Sequence, residues 1–152
     1  MEKLIGQHLV CEGCIGIVIL NYRNWDDTKR CVISIDRNPP EMDYRIFLVD
    51  NASDNAPDFD LLSFTEKYRI VLIQNKKNTG YNAGNNTGIA KALQEGCGYI
   101  LISNNDVRYF PGSIQAMKDC LDMYPEAGIV GPKILDQNGR IQKSHICRRT
   151  GM

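Results

Sequence analysis

The chain of 152 residues is long enough for one domain with a substantial core, and 43% of its residues are hydrophobic. Its 18 basic and 18 acidic residues give a formal net charge of zero, which excludes the strong positive field that nonspecific binding to nucleic acid requires. Its apolar stretches, such as residues 17–20 and 100–102, are far shorter than the roughly 20 residues that span a bilayer, so no membrane-spanning helix is predicted.

The first half of the sequence alternates short apolar runs with helical patterns. Residues 1–14 have no sustained periodicity and are predicted to form a flexible leader. Residues 15–20 are apolar and β-branched, which predicts a buried strand, and residues 26–38 predict a helix that ends before a Pro-Pro pair. The same alternation then predicts a strand at 45–49 and a short helix at 60–68.

The second half continues the alternation. A strand is predicted at 70–74, and it is followed by a loop rich in glycine and asparagine at 75–84. A helix is predicted from about residue 85 to 95, because glycines at its end provide a suitable stop. The next strand is predicted at 99–103, and a helix with proline near its first turn is predicted at 111–124.

The last part of the chain predicts further β structure. Residues 128–130 are expected to begin a fifth strand, and the Asn138-Gly139 pair predicts a hairpin between residues 134 and 142. Strands that alternate with helices predict an α/β fold, a Rossmann-like three-layer sandwich around a mostly parallel sheet. We expect residues 15–152 to form this one domain.

Polar residues follow each of the four main strands. Because right-handed crossovers bring the carboxyl ends of parallel strands to one edge of a sheet, these residues are expected to meet there, and open α/β sheets bind ligands at that edge. The residues concerned are Asn21, Tyr22, Asp50, Asn51, the loop 75–84 and Asn104 to Asp106.

Two carboxylates at this edge are candidates for ligand binding. Asp50 can accept a hydrogen bond from a base N–H or a ribose hydroxyl, as acidic residues at strand ends do in dinucleotide folds. Asp106 can bind a divalent cation that bridges the oxygens of a nucleotide diphosphate. For both residues the alternative is a structural one, because Asp and Asn in these segments also suit simple polar turns.

The segment 78–88 is richer in glycine and amide side chains than a simple connection requires. Glycine allows the backbone to approach a ligand closely, and a helix that begins near Asn85 would direct free N–H groups at a diphosphate. The segment lacks the lysine of a phosphate-binding P-loop and the register of a dinucleotide-binding loop. The alternative is a capped junction between loop and helix.

The six cysteines are interpreted as free thiols in a reducing cytoplasm. His8, Cys11 and Cys14, with His145 and Cys147, are the only candidates for a zinc site. A single C-x-x-C without a second pair is a weak signal, so an inert leader is the favoured interpretation.

Five segments, in this order along the chain, resemble family 2 glycosyltransferases of the GT-A fold, especially the rhamnosyltransferase-like branch. The resemblance extends over roughly residues 15–142, and the ordered set is far more specific than any one motif. The segments are 17–22 (IVILNY), 49–53 (VDNAS), 78–81 with 84–89 (NTGY and GNNTGI), 104–107 (NNDV) and 128–133 (GIVGPK).

The resemblance implies a nucleotide-binding first half and a donor such as a thymidine or uridine diphosphate sugar. It implies that Asn21 and Tyr22 line the base pocket and that Asp50 contacts the base or the ribose. The remaining residues that we assign to nucleotide-sugar binding are Asn51, Asn78, Gly80, Asn85 and Asn105.

Two departures from the family pattern are evident. Asn104 replaces the first aspartate of the family's metal-binding D-x-D motif, which leaves Asp106 as the expected ligand of a Mg²⁺ or Mn²⁺ ion. Family members also continue into an acceptor-binding half that supplies the general base. We expect this chain to stop before that half, and we assign no catalytic residue.

The sequence therefore predicts an inverting glycosyltransferase of polysaccharide biosynthesis, or its donor-binding part. It would transfer a hexosyl or rhamnosyl group from a nucleotide diphosphate sugar to a glycan or lipid-linked acceptor. The alternative is a catalytically inactive nucleotide-binding or interaction module. A sugar nucleotidyltransferase is disfavoured, because residues 21–25 are not rich in glycine. The predicted location is the cytoplasm, with peripheral association at the inner face of the membrane left open, as is the oligomeric state.

Overall fold

The computed structural model describes residues 13–142, in which four strands alternate with four helices. The four strands predicted between residues 15 and 103 are confirmed to within one residue at each end. The predicted leader lies almost entirely outside the described residues. The elements are β1 (Ile15–Asn21), α1 (Trp25–Arg37), β2 (Tyr44–Asp50), α2 (Leu61–Lys67), β3 (Ile70–Gln74), α3 (Gly80–Gln94), β4 (Tyr99–Asn104) and α4 (Ser113–Met123).

The four strands form one parallel sheet in the order β3-β2-β1-β4. β1 therefore has a partner on each side, and its Ile17 pairs with Ile46 of β2 and with Leu101 of β4. Ile17, Val18 and Ile19 are fully buried. A central parallel strand is covered on both faces, which is why β1 reads as a continuous apolar run and not as an alternating one.

Two apolar cores lie on opposite faces of the sheet. On one face Ile17, Ile19 and their neighbours pack against residues of three helices, which are Val32 and Ile35 of α1, Phe64 of α2, and Ile114 and Met117 of α4. On the other face Val18, Phe47 and Val49 pack against Ala92 of α3. The predicted three-layer α/β arrangement is therefore confirmed.

Helix α3 begins five residues before the predicted start, so the prediction of a loop through residue 84 is wrong. Gly84 suggested a loop, but it and Gly88, which lies inside the predicted helix, serve close packing on the sheet. A Cβ added to Gly84 would lie 2.6 Å from a Leu20 methyl carbon, and one added to Gly88 would lie 2.5 Å from a Val18 methyl carbon. These glycines allow the α3 backbone to lie directly on the sheet.

The fifth strand predicted at 128–130 is absent from the described part of the chain, where these residues form no strand. Ile129 is 92% exposed and has no neighbouring strand to pair with in that part. The hairpin predicted between residues 134 and 142 is confirmed as a tight turn closed by a single bridge. Leu135 and Ile141 form an isolated antiparallel bridge, and Gly139, at φ +74°, donates its N–H to the Asp136 carbonyl over 3.0 Å.

Candidate functional site

The carboxyl edge of the sheet contains a topological switch point between β1 and β4. The connections from β1 lead through β2 to β3 on one side, and then α3 crosses the opposite face to reach β4 on the other side. In such sheets a ligand crevice opens outside the carboxyl ends of the two strands at the switch point. Register places the strand-end residues side by side, since Asn21 pairs with Asp50 and Asn104 pairs with Leu20.

Asn21, predicted to line the base pocket, lies below this edge and is fully buried. Its Nδ2 donates to Ser53 Oγ over 3.2 Å and to Asp50 Oδ1 over 3.4 Å. Its Oδ1 accepts hydrogen bonds from Thr28 Oγ1 at 2.9 Å and from Asn105 Nδ2 at 3.5 Å. The amide thereby links the segments that follow β1, β2 and β4.

Asp50 has one oxygen in a turn and one oxygen without a protein partner. Oδ1 accepts from the Ser53 hydroxyl at 2.6 Å and from the Ser53 N–H at 3.2 Å. Within residues 13–142 no group donates to Oδ2. The structural alternative, a polar turn, is therefore correct for Oδ1 of Asp50. Oδ2 has no donor among the described residues and can accept a hydrogen bond. Ser53 was not identified from the sequence, although a serine three residues after an aspartate is a common turn partner.

Asn51 is only 2% exposed and organises the segment before α3. Its Nδ2 donates to Asn78 Oδ1 over 2.9 Å and to the Gly80 carbonyl over 3.3 Å. Its Oδ1 accepts from Asn75 Nδ2 at 3.0 Å and from the Thr79 N–H at 3.3 Å. Both ends of this amide are engaged by the protein, so Asn51 positions the loop.

The first turn of α3 lies at the same edge. Gly80 has φ +80°, and its N–H donates to Asn78 Oδ1 over 2.9 Å. Thr79 is the N-cap residue, but its side chain forms no capping hydrogen bond. The first N–H groups of a helix carry partial positive charge and have no partner within the helix, so this terminus suits an anion.

Asn85, predicted at the helix start, lies instead in the second turn of α3 and is 3% exposed. Its Nδ2 donates to the Tyr81 carbonyl over 3.0 Å. Its Oδ1 is buried and has no hydrogen-bond partner in the described part of the chain.

Tyr22 is 39% exposed and lies beside a small cleft. The Arg23 guanidinium lies 4.8 Å from the centre of its ring and forms an ion pair of 2.5 Å with Asp54. The adjacent cleft has a volume of about 200 Å³, and Trp25 at its wall donates from Nε1 to the Asn55 carbonyl over 3.0 Å. This cleft was not identified from the sequence, because residues 54–58 carry no motif of their own.

The segment after β4 directs its three polar residues differently. Asn105 turns inward and donates to Thr28 Oγ1 over 3.0 Å and to the Asn24 carbonyl over 3.1 Å. Asn104 is exposed, and its Oδ1 accepts from the Tyr81 hydroxyl at 2.9 Å. Asp106 is exposed and forms no hydrogen bond with the residues that the structure describes.

A buried polar cluster lies beneath the end of β4. The Cys31 thiol is within 3.8 Å of Ser103 Oγ and 3.7 Å of the Asn104 carbonyl oxygen, and burial raises its pKa to about 11. The Tyr109 hydroxyl donates to Ser103 Oγ over 2.9 Å, and burial raises its pKa to about 12. The Cys31 thiol and the Tyr109 hydroxyl are both neutral at pH 7, so this buried cluster adds no charge to the carboxyl edge of the sheet.

The residues present fit a divalent cation only together with a phosphate ligand. Between residues 13 and 142 there is no group of three His, Cys, Asp or Glu side chains that could hold a metal ion. Mg²⁺ is commonly held by one or two carboxylates together with substrate phosphates and water, and Asp106 offers one such carboxylate.

Of the candidate zinc ligands, the structure describes only Cys14. The Cys14 sulfur lies 3.0 Å from the sulfur of Cys97, within hydrogen-bonding range for thiols. His8, Cys11, His145 and Cys147 lie outside the described residues.

None of the helices in the described part of the chain has the length and apolar character that crossing a membrane requires.

The chain is similar in sequence to known proteins. A family model described as Glycosyl transferase family 2 matches residues 16–147. An N-acetylglucosaminyl-diphospho-decaprenol L-rhamnosyltransferase of Mycobacterium tuberculosis is 32% identical over 110 residues, which are 65% of this chain and 34% of the relative.

Solved structures show the same fold. The crystal structure of S. aureus TarS 1–349 matches with a TM-score of 0.60 at 16% identity, over 74% of this chain and 33% of that one. The structure of the same protein in complex with UDP-GlcNAc matches with a TM-score of 0.59 at 17% identity, over 74% of this chain and 32% of that one. The chain thus spans about a third of the length of these proteins.

Proposed function

This chain belongs to glycosyl transferase family 2, as its five sequence segments predicted, and we propose that the carboxyl edge of its sheet binds a nucleoside diphosphate sugar. The observation that supports this proposal is one continuous hydrogen-bond network. Side-chain bonds of Asn21 join the segments after β1, β2 and β4, and those of Asn51 join the segment before α3. The Asn51 N–H donates to the Asn21 carbonyl over 2.9 Å, which connects the two groups. The network leaves free groups of complementary chemistry along the edge.

Each free group suits one part of the ligand. Asp50 Oδ2 is an acceptor for a base N–H or a ribose hydroxyl, and the aromatic ring of Tyr22, the residue after β1, is 39% exposed. The N–H groups at the start of α3 suit the diphosphate. Asp106 is the carboxylate for a Mg²⁺ or Mn²⁺ ion held jointly with the phosphates, and such an ion would stabilise the charge that develops as the diphosphate leaves.

The proposed chemistry is that of an inverting glycosyltransferase. The chain, alone or as the donor-binding part of such an enzyme, would transfer a hexosyl or rhamnosyl group to a glycan or lipid-linked acceptor. The M. tuberculosis relative is named for a lipid-linked diphospho-decaprenol substrate, which supports that acceptor class. One of the TarS crystal structures is a complex with UDP-GlcNAc, which makes uridine diphosphate the first nucleotide to test.

The test is calorimetric titration of UDP and of thymidine diphosphate into the full chain, with Mn²⁺ and with EDTA. Asp50→Asn removes the proposed acceptor charge, and Asp43→Asn, immediately before the same strand, is the matched control at the opposite edge of the sheet. We expect binding by the wild type and by Asp43→Asn, and binding roughly 10-fold or more weaker by Asp50→Asn, because a hydrogen bond to a charged group is worth about 1.5–3 kcal/mol. Equal affinity of the two variants would remove Asp50 from the site.

The alternative of an inactive binding module is separated by a second readout. A radiolabelled donor sugar is incubated with lipid-linked acceptor and with water alone. Binding with transfer supports the enzyme, and binding without transfer or hydrolysis supports the module. Failure to bind either nucleotide under both conditions contradicts both.

Peripheral association with an anionic membrane surface is proposed for the outer face of α1. A groove of about 390 Å³ there is lined by Arg30, Arg37 and Arg108. Asp27 lies 3.0 Å from Arg108 and 3.5 Å from Arg30, and Arg108 contributes to lowering the pKa of Asp27, after the Asn24 hydrogen bond. Within the described residues Arg37 has no ion pair, so positive charge is in excess, and basic residues at an anionic surface contribute about 1 kcal/mol each.

The groove is tested by cosedimentation with phosphatidylcholine vesicles that contain or lack phosphatidylglycerol. We expect binding only to the anionic vesicles and a clear reduction in Arg37→Glu. Arg69→Glu, just before β3, makes the same change of charge elsewhere and controls for net charge. Equal loss in both variants would remove the groove from the proposal.

A further inference from the structure

The resemblance to family 2 implies that Asn104 replaces the first aspartate of the D-x-D motif, and the structure shows that a residue from another element holds its side chain. Tyr81 lies in the first turn of α3, and Asn104 is the last residue of β4. The Tyr81 hydroxyl donates to Asn104 Oδ1 over 2.9 Å. This contact bridges the helix that covers one face of the sheet and the strand beyond the switch point.

The hydrogen bond determines which atom of the amide is available. The carbonyl oxygen of Asn104 is engaged by Tyr81, whereas its NH₂ group donates to no residue that the structure describes. Asn104 itself is exposed at the edge. An amide NH₂ is a neutral donor, and it cannot act as a metal ligand.

The neighbouring residues confine cation binding to a single carboxylate. Asn105 has turned inward, where its amide bonds Thr28 and Asn24. Asp106 is exposed without a described partner, and no set of three metal-binding side chains exists between residues 13 and 142. The edge beside β4 thus presents one negative charge and one oriented neutral donor.

We propose that the Tyr81–Asn104 pair makes position 104 a hydrogen-bond donor to the oxygens of the diphosphate or sugar, and that Asp106 is the one ligand of the cation among residues 13–142. This inference rests on the proposed function. A second aspartate would add negative charge next to a diphosphate and would make binding more dependent on the cation. The neutral amide instead supports a component of nucleotide binding that needs no metal.

The test measures two affinities of the full chain in parallel. One is for UDP in EDTA, by calorimetry, and the other is for Mn²⁺ in the presence of saturating UDP, by electron paramagnetic resonance. Asn104→Ala removes the donor, and it should weaken UDP binding in EDTA roughly 3- to 10-fold, in line with one hydrogen bond, while the affinity for Mn²⁺ is unchanged. Asn104→Asp should weaken UDP binding in EDTA and strengthen Mn²⁺ binding, each by roughly 10-fold.

Tyr81→Phe separates positioning from direct contact. It should weaken UDP binding in EDTA by roughly 2- to 5-fold and leave the Mn²⁺ affinity unchanged. Tyr124→Phe, at the exposed end of α4, is the matched control and should change neither affinity. Thermal unfolding midpoints within a few degrees of the wild type verify that each variant is folded.

The outcomes distinguish this inference from the proposed function. If Asn104→Ala loses Mn²⁺ binding, position 104 is a metal ligand and the inference is wrong while the site stands. If Asn104→Ala and Asn104→Asp both bind UDP and Mn²⁺ as the wild type does, Asn104 does not contact the ligand, and the inference is also wrong. If the wild type binds no nucleotide, the proposed function and the inference fail together.

Discussion

The two halves of the carboxyl edge are built differently. After β2, the side chains of Asp50 and Asn51 are buried and engaged by neighbouring segments. After β4, Asn104 and Asp106 are exposed, and Asp106 has no partner among the described residues. We call residues 50–53 and 75–80 the interlocked half and residues 104–106 the open half. In the interlocked half most polar side-chain atoms are engaged within the protein and Asp50 Oδ2 is left without a described partner, whereas in the open half the Asp106 carboxylate and the Asn104 NH₂ group have no partner among the described residues.

The largest effect on stability is expected in the interlocked half, from Asn51→Leu. The substitution removes the partner of Asn75 Nδ2 and of the Thr79 N–H, and it removes one of the two donors to Asn78 Oδ1. Unsatisfied polar groups of this kind cost about 1–3 kcal/mol each, and water can satisfy some of them here, so we expect a loss of about 2–4 kcal/mol in the free energy of unfolding. Urea denaturation measures it.

Asn82→Ala is the control for this prediction. Asn82 is exposed in the first turn of α3 and forms no hydrogen bond with the described residues, so the change should stay within about 0.5 kcal/mol. A similar small effect for Asn51→Leu would mean that the interlocked half is not a stabilising network.

Beneath the open half, Cys31 predicts a dependence of stability on alkaline pH. Burial raises its pKa from 9.0 to about 11. The stabilisation is fully present below pH 9 and is lost as pH rises toward about 11, because the unfolded thiol then releases its proton while the folded thiol retains it. A shift of this size corresponds to about 2–3 kcal/mol.

The measurement is the free energy of unfolding of the wild type and of Cys31→Ala between pH 8 and about pH 11. The wild type should lose more stability over this window than the variant, because only the wild type contains the buried thiol. Parallel curves would contradict the burial of the thiol.

Gly88→Ala tests how closely α3 lies on the sheet under the interlocked half. The added Cβ would meet methyl carbons of Val18 at 2.5 Å and of Val49 at 2.9 Å. Overpacking of this kind costs about 1–3 kcal/mol, against a gain of up to about 1 kcal/mol in helix propensity. We expect net destabilisation in thermal unfolding, whereas Asn86→Ala, exposed on the same helix, should be neutral or stabilising. Stabilisation by Gly88→Ala would show that the helix lies further from the sheet.

Asp106→Ala, in the open half, should change the free energy of unfolding by less than about 0.5 kcal/mol, because its carboxylate is exposed and has no described partner. The same variant should lose Mn²⁺-dependent binding of UDP in calorimetry. Unaltered metal dependence would remove Asp106 from the metal site, and a large loss of stability would place it in the interlocked half.

The contrast between the two halves also explains which features the sequence could predict. The strands were predictable because continuous apolar runs such as Ile15 to Leu20 are typical of a strand buried on both faces. Their polar ends were therefore located correctly at one edge. The start of α3 was not predictable from propensity, because Gly80 and Gly84 suggest a loop until the close packing of Gly84 on Leu20 is known.

Roles within the site were less predictable than positions. Asn21 and Asn51 were expected to face a ligand, but their amides are buried and engaged by neighbouring side chains. A strand-end asparagine that positions a loop cannot be distinguished from one that binds a ligand without knowing its partners. The Tyr81–Asn104 contact was not predicted for the same reason, since it joins residues 23 apart in the chain.

Nucleotide binding at the carboxyl edge can be observed residue by residue in two-dimensional ¹H–¹⁵N NMR of the labelled chain during titration with UDP and Mg²⁺. We expect saturable shifts of amide signals from residues 21–22, 50–54, 78–82 and 104–106, with the amino edge around Asp43 and Gly98 unaffected. Shifts centred on the amino edge, or no saturable shifts, would contradict a binding site at the carboxyl edge.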